Sequence, residues 1–281
     1  MNFLKNNIKE TAQTITKHKK FFILLLLLQI FVFTLFAIVT FNYAIKIISN
    51  LETLTNPTLH QDLNTNSEQQ LQNALHLTTQ FTQIIDNLIS MSITLTLIYL
   101  LGNGLLWSLS HELITQNNNK IQWKTFLKNL SQQWLKFITT TLLIITPFVI
   151  LVYYSITYSI NQSIPPETFS TLLKTLISVK IFLYFIILIT YAYICEPSWK
   201  KYLQQIITSF KKIHYILLTT AINLLLLTST IYVIYLTITI PQLETLSIIL
   251  TFLFIILLTI TRLFWIVSLK NITLTLPNQK P

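Results

Sequence analysis

Apolar residues fill six long stretches of the chain with almost no charge inside them. They are Phe21 to Ala44, Leu88 to Leu109, Phe137 to Ile160, Leu172 to Cys195, Ile213 to Ile238 and Leu246 to Leu269. A transmembrane helix needs roughly 20 predominantly apolar residues to cross about 30 Å of hydrocarbon, and each stretch meets that length. In lipid every backbone N–H and C=O must be paired within its own segment, so the stretches are expected to be helices despite their many β-branched residues. A β-barrel would show alternation over ~10-residue segments; the unbroken run Phe21–Leu28 is the opposite pattern. The first stretch is longer than the apolar core of a signal peptide and no small-x-small pattern closes it, so it is expected to be retained.

Between the spans the pattern changes to amphipathic. Trp199, Tyr202, Leu203, Ile206, Ile207, Phe210 and Ile213 recur at helical spacing, with Lys200, Lys201, Gln204, Gln205, Thr208, Lys211 and Lys212 on the other face. The earlier loop has the same design, with Trp123, Phe126, Leu127, Leu130 and Trp134 against Lys124, Lys128, Gln132 and Gln133. A shift of 76 residues places Trp123 on Trp199, Lys124 on Lys200, Leu127 on Leu203 and Lys136 on Lys212 without a gap. The N-terminal tail is a weaker third copy, with Leu4, Ile8, Ala12 and Ile15 ahead of Lys17–Lys20. The expected fold is all-α: a polytopic membrane protein with six transmembrane helices and basic amphipathic helices, in three hairpin repeats. The chain reads as a single membrane domain, residues 1–281, with repeat units of about 1–110, 119–195 and 196–270. In the first outer loop a stripe from Leu71 to Leu88 extends the second span outward to near Ser67, while Leu51 to Asn66 reads as loop.

Three units of basic helix plus hairpin, joined by short loops, resemble an uncharacterised six-span integral membrane family. That family is related to the membrane domain attached to some glycerophosphodiester phosphodiesterases. The resemblance implies the six-span architecture; it brings over no functional residue, and the soluble phosphodiesterase activity is not expected.

Charge then orients the chain. Only 10% of residues are charged, against about 25% in a soluble domain. Of 19 basic residues, 16 lie in the N-terminal tail, the two amphipathic loops and the C-terminal end; only Lys46, Lys174 and Lys180 lie towards the other side. By the positive-inside rule both termini are expected in the cytoplasm of a multi-pass cell-membrane protein. The acidic residues lean the other way, with Glu52, Asp62, Glu68, Asp86, Glu167 and Glu244 outside. The net charge of +10 is thus read as lysines facing an anionic inner leaflet, and nucleic acid is not an expected partner. The surface helices are expected either to anchor the spans or to dock lipid or a partner protein.

Few residues carry chemistry. Arg262 is the single arginine and lies inside the sixth span, where an ionised group either serves a site or snorkels. Glu112 and Glu196 are its candidate partners. Lys180 lies in the outer half of the fourth span, with Asp86 as a plausible counter-ion. Gly102-Asn103-Gly104 contains both glycines of the chain, giving either close helix packing or a break. Asn223 and Pro147 occupy equivalent repeat positions in apolar spans. The candidate polar positions are therefore Asp86, Asn103, Lys180, Asn223 and Arg262.

Enzyme signatures are missing. His111-Glu112 lacks the second His of a zinc-binding HExxH, and the one cysteine, Cys195, builds no Cys-rich metal site and no internal disulfide. No catalytic residue, metal or cofactor is expected. The expected function is a non-enzymatic membrane-organising protein that interacts with lipid or partner proteins. The alternative is a transporter or permease component for a small substrate, with the polar positions converging on a pocket.

Overall fold

The computed structural model describes residues 2–55, 67–115, 123–161, 165–240 and 243–274. These are helical: α1 (Asn2–Lys17), α2 (Lys19–Thr55), α3 (Ser67–Ile98), a π turn (Tyr99–Asn103), α4 (Gly104–Thr115), α5 (Trp123–Asn161), α6 (Pro166–Tyr191), α7 (Trp199–Phe210), α8 (Ile213–Ile238) and α9 (Glu244–Leu274). Six spans are long and apolar enough to cross a membrane: Lys19–Thr53, Leu77–Thr115, Lys124–Ser159, Glu167–Tyr191, Ile213–Ile238 and Thr245–Thr273. The chain is therefore an all-helical protein of multi-pass membrane type.

Helix boundaries follow local chemistry. The second span does begin at Ser67, as α3, but α2 runs on to Thr55 and takes in residues expected as loop. The fourth span ends earlier than its apolar pattern, at Tyr191 in place of Cys195, and passes into tight turns in which Ala192 N–H donates to Ile189 O and Tyr193 N–H to Thr190 O. Ser198 then caps α7, its side chain accepting a hydrogen bond from the Lys201 N–H at 3.2 Å. A turn at Lys211–Lys212 separates α7 from α8. The equivalent point of the earlier copy does not break. Residues expected as a separate surface helix, 123–136, continue into the third span as the single 39-residue α5. Lys136 is buried there, and its ammonium donates to the carbonyl of Glu196. That tie holds the side chain inside the packing, whereas its equivalent Lys212 is half-buried at the bend.

The helices cluster into two units, residues 1–29 with 104–281, and residues 30–103. In the first, the buried side chains gather at one end. Leu106, Leu113, Phe137, Ile189, Tyr191, Tyr202, Ile216, Leu263 and Leu269 are all fully enclosed. Towards the other end the same helices expose large apolar residues such as Leu143, Tyr154, Ile181, Leu225 and Ile249. Such surface is what hydrocarbon would cover. In the second unit Val32 of α2 packs at Gly102 of the π turn.

Candidate functional site

The packed end of the first unit is built on the C-terminus of α6, where the last four carbonyls have no partner within the helix. Each finds one. Trp265 donates its indole N–H to Leu188 O at 2.8 Å. The backbone N–H groups of Ala192 and Tyr193 donate to Ile189 O and Thr190 O. His111 donates from Nε2 to Tyr191 O at 2.8 Å, which fixes the proton of the neutral imidazole on Nε2. Thus α4 and α9 both cap α6.

Tyr191 is the centre of this end. Its ring stacks on Phe137 at 4.2 Å and lies tilted 5.3 Å from Trp107. The Thr141 hydroxyl donates to Phe137 O, so in the 2.6 Å contact between the two hydroxyls Tyr191 is the donor. Gly104 lets α4 come this close to α5: a Cβ there would stand 2.5 Å from Trp134 Cδ1. At Gly102 a Cβ would stand 2.7 Å from Val32 Cγ2. Both glycines therefore mark close approaches, and the intervening Asn103 ends the π turn half-buried.

The connector and terminal helices are tied to the same end. Tyr193 donates to Leu269 O at 3.1 Å, and the Tyr202 hydroxyl of α7 meets Thr140 at 3.1 Å. Burial raises the Tyr202 phenol above its ordinary pKa, which keeps it protonated. Asn7 of α1 is buried and donates to Ser268; Asn271 donates in turn to Asn7 and Glu10. Phe3 packs on Tyr215 at 4.8 Å.

Arg262 lies on α9 within this unit. Its guanidinium donates to Gln29 Oε1 at 2.7 Å and sits 5.6 Å over the Trp107 ring. Of the residues singled out as its partners, Glu112 accepts from Gln133 Nε2 at 2.8 Å, and the backbone carbonyl of Glu196 accepts from Lys136. Gln29 carries no catalytic signature, but it is the one polar residue between Phe21 and Phe33, and that was the available signal. His111 and Tyr191 gave none, because capping a distant helix end depends on tertiary geometry alone.

The remaining candidate positions make none of these contacts. Lys180 is exposed on α6 among exposed Ile177, Ile181 and Phe182. Asn223 is half-buried on α8, and its Oδ1 is enclosed without a hydrogen-bond partner among the described residues. Asp86 belongs to the second unit and lines an open cleft with Lys46. Among the described residues no three His, Cys, Asp or Glu side chains converge as metal ligands. No protein-family model matches this chain, and neither a curated protein nor a solved structure does.

Proposed function

We propose that this chain is a non-enzymatic protein of the cell membrane, with both termini cytoplasmic. Its basic amphipathic helices engage anionic lipid or a partner at the inner face. One observation carries the reading: the faces of α7. Tyr202 and Ser209 turn into the packed end, while Trp199, Leu203 and Ile207 stay exposed at 46%, 55% and 65%. Beside that stripe lie the exposed lysines Lys200, Lys201 and Lys211. A helix held on one face, apolar on the next and basic beyond it suits the boundary between acyl chains and phosphates. The start of α5 resembles it in part 76 residues earlier: Gln133 is buried like Ser209, Leu127 is exposed at 57%, and Lys124 and Lys128 are exposed, while Phe126 is half-buried where Tyr202 is buried. This supports reading the hairpin units as repeats, in line with the six-span family that the architecture resembles.

A polarity-sensitive fluorophore at Leu203→Cys, in a Cys195→Ser background, tests the reading in the full chain. Its emission should shift to the blue in bilayers rich in anionic lipid. Replacing Lys200, Lys201, Lys211 and Lys212 by Gln should weaken that response, each lysine contributing about 1 kcal/mol at most. Emission indifferent to lipid charge and to the lysines would sink it. A transporter or permease component is the second reading, favoured by the unpartnered Asn223 Oδ1, since a polar atom enclosed in an apolar helix layer marks a substrate path in many transporters.

A further inference from the structure

Lys46 is a basic residue that positive-inside sorting leaves unexplained, since it stands past the far end of the first apolar stretch. In the second unit it lines an open cleft of about 470 Å³ between the end of α2 and the start of the apolar part of α3. Lys46, Ser49 and Asn50, with the apolar Ile45 beside them, form one wall, and Gln83, Asp86 and Asn87 the other. Both polar sets are spaced i, i+3, i+4, which puts each on a single helix face. The volume falls within the range of about 300–1,000 Å³ typical of small-molecule sites.

The charges in this cleft do not neutralise each other. Lys46 lies 5.4 Å from the Tyr43 ring centroid, a cation–π contact one turn back along its own helix. Neither Lys46 nor Asp86 forms an ion pair with a described residue, and the amides of Asn50, Gln83 and Asn87 make no side-chain hydrogen bonds there. A cation on one wall and an anion on the other, with amides in the same lining, match a ligand carrying the inverse pair. The walls are flanked by exposed apolar residues, Phe41 and Ile45 on α2, Ile85 and Leu88 on α3.

We propose that this cleft binds a zwitterionic phosphoester. Lys46 takes the phosphate, Asp86 takes the ammonium, and the amides bind the ester and phosphate oxygens. The chemistry is shared by an intact lipid, phosphatidylethanolamine, and by soluble glycerophosphoethanolamine. The site lies wholly within residues 30–103 and does not depend on the lipid contacts of α7.

Lipid retention by the purified full chain, read by native mass spectrometry, is the test. Phosphatidylethanolamine should be retained over phosphatidylglycerol. Lys46→Gln and Asp86→Asn should each reduce that retention about fivefold, the weight of one exposed charge contact. The double variant Lys46→Asp with Asp86→Lys keeps both charges in the cleft and should recover most of it. Both side chains are exposed, so the variants should keep the helical content of the parent. A second arm titrates glycerophosphoethanolamine: saturable binding supports the free zwitterion, and lipid retention without it supports the intact lipid. Failure of both arms, equal retention of phosphatidylglycerol, or indifference to either single variant would overturn the site.

Discussion

Gly104 and Arg262 make opposite demands on their surroundings, one for missing volume and the other for a polar partner. With Trp134 Cδ1 at 2.5 Å from the place a Cβ would take, Gly104→Ala must push an indole ring out of a packed layer. Overpacking of this kind costs about 1–3 kcal/mol, more than the roughly 1 kcal/mol that Ala offers as a helix former. Thermal unfolding in detergent should show the loss, and a variant as stable as its parent would contradict the close approach. Arg262 was visible in the sequence as the single arginine. Its partner was visible too, as the one polar residue between Phe21 and Phe33. The pairing was not, because the two residues are 233 positions apart and nothing local links them.

At the scale of elements, periodicity placed all six spans, since solid apolar runs fix length and type in lipid. Where each helix stops was less legible, because ends depend on caps and on what the last turn touches. Ser198 shows this for α7: its side chain holds the Lys201 N–H, and Ala there should cost about 1 kcal/mol of local stability. In the folded protein, trypsin should then cut after Lys200 or Lys201 about fivefold faster, following the larger open population. An unchanged cleavage rate would mean that burial of Tyr202, without the cap, fixes the start of α7. The contrast between α5 and α7 lies at this scale as well. Their polar and apolar patterns agree at 12 of 14 aligned positions, Trp123–Lys136 on Trp199–Lys212, the exceptions being Ser131 against Ile207 and Leu135 against Lys211; yet one runs straight through and the other bends. Lys136 is tied to a carbonyl on a neighbouring connection, and no register in the sequence announces that tie.

For the whole molecule, the orientation proposed from the lysines has a direct check in a Cys195→Ser chain. A membrane-impermeant thiol reagent added outside intact cells should label a cysteine at Asn64 and spare one at Gln132. The reverse pattern would turn the protein over and move the Lys46–Asp86 cleft to the inner face. Composition alone foretold a helical protein for lipid, but not that the buried side chains of the first unit would gather at one end. The α6 terminus lies at that end, with polar groups from α4 and α9 bonded to its carbonyls.

Ordinary helix ends fray within nanoseconds to microseconds, because their last carbonyls exchange freely with water. The end of α6 has no such freedom. Releasing Leu188 O frees an indole on α9, and releasing Tyr191 O strands the His111 imidazole of α4 in a dry interior. Three helices from distant parts of the chain are therefore joined at one helix terminus, which ties a normally fraying end to its neighbours.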